Sequence, residues 1–180
     1  MTDNKLSISE ELFHNRQAFL RYNQFKVSKT LQTLSEIDRQ VFIAVPRLLH
    51  VNQPGLPGYI SDDVPCGIYN YTLDHESQKS LEKLFPDTII RKNSSARPVI
   101  QTILLMGSVG TIAQTKKSDL DYTLLVNKVS FTKESMELFL QKLRLLEKWT
   151  WDTYHLETHF FVNDISDVKR NNFGESDSES

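Results

Sequence analysis

Met106-Gly107-Ser108, followed by Ser118-Asp119-Leu120-Asp121, is the stretch of this chain best equipped to do chemistry. Glycine lets a backbone approach a ligand closely, and a helix starting just after it would offer unpaired N–H groups to a phosphate. Along a strand side chains alternate, so Asp119 and Asp121 would project from one face. Paired carboxylates are hard oxygen ligands suited to Mg²⁺, the ion that accompanies nucleoside triphosphates. Taken singly, Asp-x-Asp at a solvated strand end and Gly-Ser in a turn are commonplace. Their pairing between two strands is what gives them weight.

The flanking residues supply those strands. Residues 100–106 read as a buried strand and residues 121–126 as a second, rich in β-branched and apolar side chains, with a turn and a short helix between them. Lys116 and Lys117 immediately precede the acidic pair, and Arg91, Lys92 and Arg97 lie in a polar connector upstream. Each of these cations has two open readings, a contact to a triphosphate or a solvated loop charge. A third strand is expected at residues 156–162, with Glu157, His159 and Phe161 on one face and Thr158, Phe160 and Val162 on the other. If it lies beside the Asp119–Asp121 strand, Glu157 completes a cluster of three carboxylates; otherwise it is a charged strand end facing water.

The rest reads as scaffold. Residues 9–49 are helical in pattern, with Ser9 capping a first helix whose Leu12, Phe13, Phe19 and Leu20 would pack as part of a helical layer. Ser35 with Asp38 marks a second helix start, and Pro46 predicts a kink or an early stop. Residues 52–67, with Pro54, Gly55, Pro57, Gly58 and Pro65, form a loop of fixed turns in which Tyr59, Asp62 and Asp63 could line a site. A short strand is expected at residues 68–72, then a helix capped by Asp74 and running to about residue 85. Thr132 caps the strongest helix, to about residue 149, with Met136, Phe139, Leu140, Leu143 and Leu146 at core spacing.

At 180 residues the chain is most simply one domain, residues 1–170, followed by a tail at 171–180 too polar to bury anything. A net charge of −2 argues against a general nucleic-acid binder. With Cys66 as its one cysteine the chain has no internal disulfide and no Cys/His metal spacing, which fits a cytoplasmic protein. The start lacks a signal-peptide pattern, and no apolar run is long enough to insert in a membrane.

Gly107-Ser108 through Asp119-Leu120-Asp121 resembles the Gly-Ser…Asp-x-Asp motif of the DNA polymerase β-like nucleotidyltransferase superfamily. Within it the chain is similar to the N-terminal catalytic region of class I adenylate cyclases, over roughly residues 10–175. Three blocks bear this likeness: Val45-Pro46-Arg47-Leu48-Leu49-His50 with Pro57-Gly58-Tyr59, Val64-Pro65-x-Gly67-Ile68 and Tyr71-Thr72; Met106 to Asp121 with Gln114-Thr115; and Leu145-Leu146-Glu147-x-Trp149 leading to Glu157-x-x-Phe160-Phe161. The first block is the more specific, since it is not a general nucleotidyltransferase feature. The chain departs at Tyr122-Thr123, where the family has a more hydrophobic, often tryptophan-containing pair.

The resemblance implies an α+β nucleotidyltransferase fold: a short mixed β-sheet with packed helices and an N-terminal helical layer. It implies conversion of ATP to 3′,5′-cyclic AMP and pyrophosphate, with Asp119, Asp121 and Glu157 holding Mg²⁺. Gly107 and Ser108 would hold the β- and γ-phosphates, with Lys116 and Lys117 near them. It also implies a longer enzyme, regulated through a C-terminal region by a protein partner. Two rivals share the motif. A transferase acting between molecules keeps the metal site and adds an acceptor site, while a non-catalytic module uses the fold for nucleotide sensing.

Overall fold

The computed structural model describes residues 8–90, 97–116 and 118–172. In order these form α1 (Ile8–Thr33), α2 (Glu36–His50), α3 (His75–Leu84), β1 (Ile100–Leu105), β2 (Leu120–Val126), a 3₁₀ turn (Lys128–Ser130), α4 (Lys133–Tyr154), β3 (Thr158–Asp164) and α5 (Ile165–Lys169). The strands make one mixed sheet in the order β1-β2-β3, with β1 antiparallel and β3 parallel to the central β2. The parallel pair needs a crossover, and α4 is that crossover.

Local chemistry sets the element ends. Ser35 accepts the Asp38 N–H at 3.2 Å to start α2, and Asp74 accepts the Ser77 N–H at 2.8 Å to start α3. Thr132 and Ser135 exchange side-chain and backbone bonds in a capping box at the start of α4. Pro46 does not end α2, which continues through it to His50. The expected strand at 68–72 reduces to one bridge, Ile68 to Ile100. Ser9 lies inside α1 instead of capping it.

The core lies between α2, α4 and one face of the sheet. Tyr122 stacks on Phe160 with ring centroids 5.4 Å apart and meets Phe42 of α2 at 6.3 Å. Val41, Leu48, Leu49, Leu120, Leu124, Phe139 and Leu146 are fully buried around them. The expected N-terminal layer holds for α2 and fails for most of α1. Leu12, Phe13, Phe19 and Leu20 are all exposed, because only the end of α1 near Thr30 reaches the body of the protein.

The loop at 52–67 is braced against this core. Gly58 has φ +81°, and a Cβ there would stand 2.9 Å from Lys142 Cγ and 3.3 Å from Leu146 Cγ, so only glycine lets the loop lie directly on α4. The Gly67 carbonyl accepts the N–H groups of Val99 and Ile100, tying the loop to β1. His50 Nδ1 accepts the Ile68 N–H at 3.1 Å while its ring stacks on Tyr71. No described helix is long and apolar enough to cross a membrane.

Candidate functional site

The site forms where β2 and β3 begin. Their parallel register places Leu120 beside Thr158 and Asp121 beside His159, and the Leu120 N–H donates to the Glu157 carbonyl at 2.9 Å. Side chains two apart share a face, so Asp119, Asp121, Glu157 and His159 all project from the face opposite Tyr122. The strand pairing on which Glu157 depended is therefore present.

Which of these groups meet is a finer matter. Asp119, Glu157 and His159 each offer a ligand atom, and the three atoms lie within 4.8 Å of one another. His159 Nε2 is 3.3 Å from Glu157 Oε1. Asp121 is not in that group. Its Oδ2 leans toward β1 and would stand 2.8 Å from a Cβ at Gly107, where φ is +67°. The expected trio of Asp119, Asp121 and Glu157 thus divides into a tight Asp119–Glu157–His159 cluster and an Asp121–Gly107 contact beside it. Asp119 precedes β2, with its carboxylate grouped with Glu157 and His159, whereas Asp121 lies within β2 with its carboxylate beside Gly107, just past the end of β1.

Charge crowding is visible at Asp119. Its carboxyl is raised above the ordinary aspartate value, first by loss of hydration and then by repulsion from Glu157 and Asp121, with His159 opposing. A bound divalent cation would relieve that repulsion, so the donor set fits one.

The Gly-Ser segment departs from expectation. Among the described residues no helix follows it; residues 107–113 run through turns and a bend. The Ser108 hydroxyl donates to Ser118 Oγ at 3.0 Å, Ser118 Oγ accepts the Thr115 N–H at 2.9 Å, and Gln114 accepts the Gly110 N–H at 2.7 Å. Short side chains that bond the local backbone compete with helix, and here they win. Any phosphate contact from Gly107 and Ser108 comes from turn N–H groups and a hydroxyl, not from a helix end. The turn is pressed on α1, since a Cβ at Gly110 would fall 2.6 Å from the Lys26 carbonyl.

Two clefts adjoin the cluster. One of about 400 Å³ is lined by Asp38, Lys116, Ser118, Asp119, Trp151 and Glu157, among others. The other, about 370 Å³, is lined by Arg144, Lys148, Trp151, Glu157 and His159, among others. Glu157 and the exposed indole of Trp151 belong to both. Lys116 is exposed in the first cleft, so it remains available to an anion. Lys117, Arg91 and Lys92 fall outside the described residues, as does the tail beyond Asn172; Arg97 is exposed. Tyr59 donates to Asp62 Oδ1 at 3.1 Å, and neither they nor Asp63 line these clefts.

Sequence reasoning gave no role to His159, Trp151 or Glu147. Glu147 Oε1 accepts the Phe160 N–H at 2.8 Å, fixing the outer edge of β3 to α4 and with it the stance of Glu157 and His159. His159 was legible as the residue two beyond Glu157 on a strand. Trp151 was hidden by the expectation that α4 ends near residue 149, whereas it runs to Tyr154.

Residues 11–180 match a family model described as the adenylate cyclase NT domain. The chain is 29% identical to adenylate cyclase of Shigella flexneri over 154 residues, 84% of this chain and 18% of that protein. It is 28% identical to adenylate cyclase of Pasteurella multocida over 162 residues, 86% of this chain and 19% of that protein. With adenylate cyclase of Yersinia pestis the identity is 30% over 155 residues, 84% of this chain and 18% of the relative. The chain thus spans about a fifth of the length of these relatives. No solved structure matches it.

Proposed function

Since the chain belongs to the adenylate cyclase NT domain family, we propose that it is the N-terminal catalytic region of a class I, cytoplasmic adenylate cyclase. Residues 1–170 are read as a unit with the nucleotidyltransferase fold, and the substrate is ATP, converted to 3′,5′-cyclic AMP and pyrophosphate. The observation behind this reading is the convergence of Asp119, Glu157 and His159, with Asp121 against Gly107, at one end of a parallel strand pair.

Asp119, Asp121 and Glu157 would hold Mg²⁺, which when bound would offset triphosphate charge and stabilise the attacking and leaving oxygens. Gly107 lets the backbone come close to the β- and γ-phosphates, and the Ser108 hydroxyl and Lys116 ammonium would donate to them. Trp151 offers the adenine a flat apolar surface within reach of both clefts. The ribose 3′-oxygen attacks the α-phosphorus, the bond from that phosphorus to the bridging oxygen of the β-phosphate breaks, and pyrophosphate leaves. Glu157, exposed at the junction of the clefts, takes the 3′-hydroxyl proton. Aligning the 3′-oxygen is a positioning task shared with whatever else covers this open face.

The test is ATP binding with and without Mg²⁺, followed by identification of products. Mg²⁺-dependent ATP binding that is lost in Asp119→Ala and Asp121→Ala, at unchanged helix content, is the expected result. Cyclic AMP as product supports the cyclase, whereas an AMP-modified acceptor would support transfer between molecules. Equal ATP binding in wild type and both variants would refute the assignment.

A further inference from the structure

Away from the carboxylates, α2, α3 and residues 88–90 surround a cavity of about 360 Å³. We propose that it binds a small aliphatic monocarboxylate, with the carboxylate on Arg47 and the carbon chain among Leu73, Leu81 and Ile90. The site is separate from the catalytic one proposed above. Asp38, near the start of α2, lines a cleft beside the carboxylates, whereas Arg47 lines the cavity roughly 13 Å further along the helix.

The guanidinium is the reason for a charged ligand. Arg47 lines the cavity yet is only 1% exposed. Its Cζ stands 5.9 Å over the ring of Tyr71, which itself stacks on His50. A cation over a ring face is held there by its charge, and a guanidinium keeps its five N–H donors in its own plane. Loss of hydration lowers the Arg47 pKa, and the Tyr71 hydroxyl opposes that shift. A carboxylate entering the cavity would offset the cost of burying the cation through paired, charge-assisted bonds.

The surroundings define the rest of the ligand. Leu81 is buried and Leu73 and Ile90 are half-buried, so beyond the charge the wall is apolar. Gln78 and Glu82 are the exposed α3 residues of the lining, and Gln78 Nε2 donates to Glu82 Oε1 at 2.8 Å. The Glu82 carboxylate repels phosphates and dicarboxylates, whose further charge would lie near it, and so favours a single negative charge. Gln53 Nε2 donates to the Ile89 carbonyl at 2.8 Å, fixing the wall at residues 88–90 to the loop at 52–67. The volume lies at the low end of the ~300–1,000 Å³ usual for small-molecule pockets, which suits a chain of a few carbons.

The experiment titrates hexanoate, and separately its uncharged counterpart hexanamide, into ¹³C-methyl-labelled protein and follows the methyl resonances of Leu73, Leu81 and Ile90. The expected result is a saturable shift with hexanoate and binding of hexanamide about tenfold weaker. Affinity should rise roughly threefold to fourfold per methylene from acetate to hexanoate. Leu73→Trp, which fills the cavity and keeps Arg47, should abolish the hexanoate response. Arg47→Gln should bind hexanoate and hexanamide alike; should that variant not fold, the wild-type comparison of the two probes and Leu73→Trp still decide the matter. Equal binding of hexanoate and hexanamide by wild type, unchanged hexanoate binding in Leu73→Trp, or no shift of these methyls with hexanoate would each overturn the proposal.

Discussion

Lys142 places an ammonium group where none would be expected, on the inner side of α4 with 1% of its surface exposed. Its Nζ donates to the Val51 carbonyl at 2.9 Å, and its stem lies under Gly58. Burial pushes its pKa down from 10.5 to about 8, with the nearby Cys66 side chain opposing. Unfolded, the same group titrates at its ordinary value. Between these two pH values the unfolded chain binds the extra proton, so stability rises with pH across that window.

The separation from about 8 to 10.5 corresponds to about 3 kcal/mol, at about 1.4 kcal/mol per decade. That penalty is fully present below pH 8 and gone above 10.5. Tyr71, Tyr122 and Tyr154, whose hydroxyls burial pushes up, make stability fall as pH rises past the ordinary tyrosine value. The comparison is therefore best made between pH 7.5 and 9.5, where the lysine alone should contribute a gain of about 2 kcal/mol. Urea unfolding of wild type and Lys142→Met at both pH values measures it. Methionine keeps an unbranched stem and forfeits the bond to Val51, so the variant has its own baseline. The readout is the difference in slope. Wild type should gain about 2 kcal/mol more than the variant over that range, at similar m values. Parallel pH profiles would refute the claim that this ammonium is desolvated in the folded chain.

Two further substitutions test the parts around it. Gly107→Ala forces a positive φ on alanine, costing about 1 kcal/mol, and drives its methyl into Asp121 Oδ2; Mg²⁺-dependent ATP binding by calorimetry should weaken about tenfold, a loss of roughly 1.4 kcal/mol, with only a modest fall in Tm. Asp164→Ala removes the acceptor for the N–H groups of Lys128, Ser166 and Asp167, uncoupling α5 and the 3₁₀ turn from the end of β3. Stability should fall by about 2 kcal/mol in urea titrations at pH 7. The backbone N–H groups hold the Asp164 carboxyl below its usual range, so its contribution is fully present above the ordinary aspartate value and is lost as pH falls through the depressed one.

How far the sequence foretold this molecule depends on whether the deciding force was local or between elements. Ser35, Asp74 and Thr132 were legible as caps because the bonds they accept lie three residues away. β1, β2 and the core face of β3 were legible from alternation and β-branching alone. The turns after Gly107 were misread as a helix because the hydroxyls of Ser108, Thr111 and Ser118 bond the turn itself, a competition that hydrophobic spacing does not register. α1 was misread as a packed layer because its aromatic residues suggest burial, whereas no described element covers Phe13, Phe19 or Phe25. The site shows the same division. Asp119 and Glu157 could be named from their strands, but that His159 and not Asp121 stands within 4.8 Å of both depends on side-chain directions that spacing along the chain does not register. Asp121 has its Oδ2 where a Cβ at residue 107 would stand only 2.8 Å away, a space left open because that residue is glycine. The glycine read as a phosphate-loop residue thus also leaves space for the Asp121 carboxylate, a contact between strand ends that spacing along the chain does not register.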